Sequence, residues 1–253
     1  MLRDGKIITI YGTKGNVGAT FTSVNLAINL SKKFNKEGKV LLLDLNIIQP
    51  SVAEYLSLDT SSKMLDNLYP FAINKDSLTK EIIYSNCEKV ENLYVLKGTS
   101  TPSFTDFVKL DILDSLLDYL KKIFDYIIID TSEYLNNTGT YTAINKSDKT
   151  FIITTKNMID ILSLNKSKFY LDTYFKKEKF NLIINKEDKN IYIDNKKIEE
   201  ISETTESFTL PLVDYDKVIN SINKGIYIEN IKDRKMKKYF NNIDKITTSL
   251  IKY

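Results

Sequence analysis

The feature that most limits what this chain can fold into is a set of short, uninterrupted apolar runs. Lys39–Leu45 (KVLLLDL) and Tyr126–Asp130 (YIIID) are each a continuous apolar run that ends in an acid. A strand with one wet face alternates apolar and polar residues, so runs of this kind fit strands covered on both faces. Similar runs stand at Lys6–Tyr11, Leu93–Leu96, Thr150–Thr154 and Asn181–Ile184. Helical patterns lie between them. Val24, Ala27, Ile28 and Leu30 recur at helical spacing in Thr20–Lys33, as do Ile112, Leu113, Leu116, Leu117 and Leu120 in Asp111–Phe124. Ser51–Leu58 also reads as helical. Buried strands alternating with helices imply an α/β fold with a mostly parallel twisted sheet and helices on both faces. No linker, repeat or low-complexity stretch interrupts 1–253, so a single domain is expected. Residues 186–208 are polar and read as an irregular excursion at the sheet edge.

Missing residue types exclude whole chemistries. The chain has no His, which removes imidazole catalysis and His metal sites. Its one Cys, Cys87, allows no internal disulfide or CxxC pair and reads as core filler. Net charge is only +3, with Arg3 and Arg234 the sole arginines, a weak signal for nucleic acid. No apolar run approaches the roughly 20 residues of a transmembrane helix, and no signal peptide precedes the first strand. A cytoplasmic location is expected.

The chemistry concentrates in the turn after the first strand, Thr13-Lys14-Gly15-Asn16-Val17-Gly18-Ala19-Thr20. A glycine-bearing turn feeding a helix start offers backbone N–H groups and a positive dipole end to phosphate. Thr20, at the helix start, can present its hydroxyl to Mg²⁺. The ordinary GxxxxGK[ST] pattern fails at Thr13 and at Ala19, so on its own the turn is as consistent with a plain turn as with a nucleotide site.

Together with LLLDLN (41–46) and FDYIIID (124–130), this segment resembles the deviant Walker A ATPases of the ParA/MinD family, P-loop proteins whose loop reads xKGGxGK[ST]. Lys14, Gly15, Gly18 and Thr20 match; Asn16 and Ala19 depart. SVNLAINLSKK (23–33), LIINK (182–186) and LPLVDYDKVINSINKG (210–225) extend the resemblance over nearly the whole chain. Within the family, DLNIIQPSVAEYLSL (44–58), NLYVLKGTS (92–100) and LSLNKSKFYLD (162–172) are similar to the TadZ/CpaE group, which localises pilus assembly and often replaces the loop Lys by a small residue. The resemblance implies an ATP or ADP site contacted by Lys14, Gly15, Asn16, Val17, Gly18, Ala19, Thr20, Phe21, Asn185 and Pro211. It implies Mg²⁺ held at Thr20, Asp44 and Asp130. It also implies a homodimer in which Lys14 reaches the partner's nucleotide.

The departures set an expectation of weak or absent hydrolysis. Ala19 supplies no charge to the β- and γ-phosphates, and Asn46 stands where the family carries a second acid to position the attacking water. Losing a charged stabiliser of this kind costs on the order of 10²–10⁴ in rate. The implied role is a dimeric scaffold for a pilus or secretion assembly, at the membrane surface or cell pole. The alternatives are a ParA-like partition ATPase on DNA and a MinD-like membrane-associated regulator. Three further signals bear on these. Met236–Tyr253 is a basic amphipathic pattern, read first as a last helix packed on the sheet and second as a membrane anchor. Lys32-Lys33, Lys176-Lys177 and Lys196-Lys197 read as solvated faces, with DNA contact as the alternative. The sixteen tyrosines are scattered, unlike the terminal cluster of the related bacterial tyrosine kinases.

Overall fold

The apolar runs line up as neighbours in the computed structural model, which describes residues 4–34, 39–74, 77–188, 190–224, 231 and 233–252. The strands are β1 (Lys6–Gly12), β2 (Val40–Asp44), β3 (Glu88–Val90), β4 (Leu93–Leu96), β5 (Tyr126–Asp130), β6 (Lys149–Thr155), β7 (Phe180–Glu187) and β8 (Ser207–Pro211). They form one sheet in the order β3-β4-β2-β5-β1-β6-β7-β8. Every pairing is parallel except β3 with β4 at one edge.

The uninterrupted runs are explained by what covers each face. Successive side chains of a strand point to opposite faces. Ile8, Ile10, Val40, Leu42 and Ile128 share one core with helices α1 (Ala19–Phe34) and, late in the chain, Arg234–Lys252. Ile7, Leu41, Leu43, Ile127 and Ile129 share the opposite core with residues of Leu65–Ile73 and Leu110–Lys121. The remaining helices follow in chain order, so the full set is α1, α2 (Val52–Tyr55), α3 (Leu65–Ile73), α4 (Lys80–Asn86), α5 (Leu110–Lys121), α6 (Thr138–Lys146), α7 (Met158–Tyr174), α8 (Asn195–Ser202), α9 (Tyr215–Asn223) and α10 (Arg234–Lys252). The expected α/β architecture, mostly parallel with both faces covered, is the one found.

Two local expectations are corrected. The helix expected over Ser51–Leu58 is only the four residues of α2, because Ser57 turns into the left-handed region (φ 53°). The excursion at 186–208 is not irregular throughout. It contains α8, capped by the Asp194 carboxylate accepting from Lys196 N, and ends in the edge strand β8. With Ile198 its one buried apolar residue, a two-turn helix shows too little periodicity to be read from sequence.

The amphipathic C-terminal pattern is α10. Its Met236, Tyr239, Ile243, Ile246 and Leu250 are buried in the first core, so its apolar face is occupied by the protein itself. No described helix is long and apolar enough to cross a membrane. The lysine pairs are partly engaged with acids. Lys33 meets Asp244 at 2.8 Å and Lys177 meets Asp172 at 3.1 Å.

One buried cation carries a fold prediction. Lys97, just past β4, is fully buried; its amine donates to the Asp59 carbonyl and lies 3.7 Å from Glu88. It ties the 59–64 turn to the sheet. Lys97→Met keeps the volume but leaves those partners unanswered, so a loss of about 1–3 kcal/mol is expected in the urea unfolding midpoint. An unchanged midpoint would show the tie to be dispensable.

Candidate functional site

β1 lies near the middle of the sheet, between β5 and β6, and its C-terminal end is where the strand order changes direction. Ligands of such sheets bind at this edge. Between Gly12 and Ala19 the chain makes a tight turn anchored by Thr13, whose N–H and hydroxyl both donate to the Ile153 carbonyl. Val17 is buried, whereas Lys14, Gly15 and Asn16 are exposed. Two residues of the turn have left-handed backbone, Asn16 at φ 65° and Gly18 at φ 89°. That explains why the departure at 16 is tolerated. Asn is among the few residues with a side chain that enter this region readily. Ala19 then opens α1 with a methyl group, the departure from the xKGGxGK[ST] pattern noted in the sequence.

Below the turn stand the two strand-end acids. Asp44 and Asp130 are direct register partners on β2 and β5, and both are fully buried. Asp130 accepts from the hydroxyls of Thr20 (2.8 Å) and Ser23 (2.7 Å). Asp44 accepts from the backbone N–H of Asn46, Ser51 and Val52 at 2.9–3.0 Å. Burial pushes both carboxyls above the usual range, and for Asp44 the neighbouring Asp130 adds to the rise. Their hydrogen bonds oppose this. Ser51 also donates its hydroxyl to Thr20 Oγ1 at 3.3 Å. Thr20, Asp44 and Asp130 are therefore brought together. Ser23 and Ser51 were missed by the sequence reading. Ser23 had a signal, since three residues after Thr20 places it on the same helix face.

Among the described residues no three Asp, Glu, His or Cys side chains cluster as a metal site. Two carboxylates and a hydroxyl still suit Mg²⁺, a hard ion that takes few protein oxygens and completes its shell with water and phosphate. A divalent cation held there would relieve the repulsion between two neighbouring buried acids.

The other expected residues are more dispersed. Phe21, in the first turn of α1, sends its ring into the core, 5.2 Å from the Tyr239 ring, so its side chain does not face the turn. Asn46 is half-buried and its Oδ1 accepts from Gln49 N, which turns the amide into its own loop. Asn185, at the end of β7, is buried beneath the turn, where its amide donates to the Val17 carbonyl at 2.8 Å. Pro211 ends β8 and lines an open cavity of about 870 Å³ with Glu187, Leu212 and Lys237. Lys186, not singled out from sequence, places its amine on the Asn16 carbonyl. Cys87 is buried and its thiol is pushed up to about 12 by burial, in keeping with core filler.

The fold has counterparts among known proteins. The tyrosine-protein kinase CpsD of Streptococcus pneumoniae is 26% identical over 170 residues, covering 66% of this chain and 70% of its own length. Three curated relatives are spanned to 70%, 55% and 50% of their lengths. Among solved structures, a ParA family ATPase from Chlorobium tepidum superposes with a TM-score of 0.83 at 19% identity, over 96% of this chain and 98% of its own. The septum site-determining protein MinD of Pyrococcus horikoshii, solved with Mg-ADP, gives 0.78 at 18% identity over 98% and 97%. At such identities these are likenesses of fold. A family model described as an AAA domain matches residues 5–184, from just before β1 to within β7. The chain therefore belongs to the AAA domain family, and its fold is the ParA/MinD form of the P-loop architecture.

Proposed function

We propose that this protein binds ATP or ADP with Mg²⁺ and acts as a dimeric, TadZ/CpaE-like localisation or assembly scaffold with little hydrolysis of its own. The observation that carries the reading is the Thr20–Asp130–Asp44 constellation under a left-handed phosphate turn that has no lysine at 19. In this reading the turn's N–H groups and the start of α1 hold the phosphates. Thr20 and Asp44 hold the metal, Asp130 orients Thr20 through its hydroxyl, and Ser23 fixes Asp130. Mg²⁺, when bound, neutralises phosphate charge and offsets the repulsion between the two acids. Ala19 and Asn46 leave the transferring phosphoryl group without its usual charges, which supports a binding role over turnover.

The pilus-assembly role rests on the sequence stretches similar to that group and on the small residue at 19. The partition and MinD-like readings share the same fold. The apolar face of α10 is buried, which weighs against a membrane anchor built on that face. The pairing of Lys33 and Lys177 with acids weighs against those clusters as a DNA surface. DNA binding that falls steeply with salt would favour partition; liposome binding would favour the MinD-like role.

Titration calorimetry with ATP and ADP tests the core of this reading. Thr20→Val removes the hydroxyl while keeping the shape. It is expected to weaken Mg-ATP binding about tenfold. The difference should vanish when EDTA removes the metal. Equal affinities with Mg²⁺ present would remove Thr20 from the metal site. Light scattering with ATP tests the dimer: a monomer at high concentration overturns that part, leaving nucleotide binding to stand on its own.

A further inference from the structure

A phosphate loop relies on an amine that meets β- and γ-phosphate oxygens. Residue 19 cannot supply one here. The structure brings a different amine to the same turn, from the end of β7, two strands along the sheet from β1. Lys186 directly follows Asn185 at the end of β7, and a left-handed backbone (φ 53°) sends its side chain back over the turn. Its Nζ donates to the Asn16 carbonyl. Its Cε lies 4.0 Å from where a Cβ on Gly18 would be, so the aliphatic stem crosses the turn close to the start of α1. Asn185 clamps the same place, donating to the Val17 carbonyl and accepting from Lys186 N–H at 2.8 Å. The ammonium is exposed, and among the described residues it has no carboxylate at ion-pair distance. A cation is thus held on the turn by a single neutral carbonyl.

We infer that Lys186 is the phosphate-neutralising cation of this site, standing in for the side chain missing at position 19. This rests on the nucleotide reading above. On binding, the amine exchanges the Asn16 carbonyl for a phosphate oxygen, a charge-assisted bond stronger than the one it leaves. Because it arrives from β7 rather than along α1, it neutralises the bound nucleotide without lying in line with a transferring phosphoryl group. The arrangement retains affinity and leaves turnover unsupported.

The test is titration of the full chain with ATP, ADP and adenosine in the presence of Mg²⁺. Lys186→Met is expected to weaken ATP and ADP about tenfold or more while moving adenosine less than about twofold. Lys186→Arg keeps the charge and is expected to stay within about threefold of the parent. Adding Ala19→Lys to Lys186→Met is expected to recover most of the lost affinity. The same change in the parent has a smaller effect, because one amine already serves the site. ATP binding unaltered by Lys186→Met overturns the inference. So does an equal loss for adenosine, which would make Lys186 a clamp for the turn and not a phosphate ligand. Should the parent bind neither ATP nor ADP, the nucleotide reading itself falls; binding by the parent with no effect of Lys186→Met sinks this inference alone.

Discussion

Phosphate release from ATP by the Ala19→Lys, Asn46→Asp double variant is expected to exceed that of the parent by on the order of 10²–10⁴. Each single variant should remain close to the parent. Ala19→Lys restores the in-line charge on the β- and γ-phosphates, but the attacking water still lacks a carboxylate. Asn46→Asp restores the carboxylate, but adds negative charge near phosphates with nothing at 19 to offset it. Groups that act on one transition state are strongly non-additive, so the gain belongs to the pair. The local structure favours the second change. Asn46 Oδ1 accepts from Gln49 N at 3.2 Å, a bond that a carboxylate oxygen can keep while its other oxygen points outward. Single-turnover phosphate release for the three variants at saturating ATP decides the matter. If Ala19→Lys alone equals the double variant, Asn46 was never a block. If the double variant stays silent, more is missing than these two groups.

Gly18→Ala carries the largest expected structural effect. At φ 89° a side chain is strained, and the added methyl would stand 2.4 Å from Asn185 Nδ2. That amide cannot step aside cheaply, being buried and bonded at both ends, to Val17 O and to Lys186 N–H. Backbone strain and one lost hydrogen bond together come to about 2–3 kcal/mol, read from the urea midpoint. ATP binding should be lost with the geometry of the turn. Gly15→Ala is the control: its methyl would meet only Glu133 Oε1, at 3.5 Å, so stability should change by less than about 0.5 kcal/mol. Asn185→Ala in the Gly18→Ala background removes the collision, so the double change should cost less than the sum of the singles. Strict additivity would show that the strain sits in the backbone alone.

Much of the fold was legible because its strands are covered on both faces. Uninterrupted apolar runs such as VLLL and YIII have few other places to go, and five of the expected strands fall within one or two residues of those found. Helices α1 and α5 were readable from periodicity for the same reason, since each buries a stripe on the sheet. Short or heavily polar helices were not. α6 carries three threonines and a glycine, and it is started by Asn137, whose side chain accepts from Gly139 N and Thr140 N. Such a helix is specified by its cap and its neighbours more than by its own pattern.

The same division runs through the candidate site. The glycine-bearing turn and Thr20 could be singled out from residues alone, because they lie between a strand and a helix that the apolar pattern defines, whereas Asp44 and Asp130 entered as what the resemblance to the ParA/MinD family implies. The resemblance also marked what is missing, a Lys at 19 and an acid at 46, since a departure from a family pattern is visible without a structure. Only the tertiary structure decided what surrounds those residues. It made Asp44 and Asp130 register partners although they are far apart in the chain, put Ser23 and Ser51 beside them, and turned Asn46 into its own loop. It also laid Lys186 across a turn about 170 positions earlier. The physical reason is that strand order and register are collective properties. They follow from how all the apolar faces are buried at once, and no local spacing encodes which distant side chains that burial brings together.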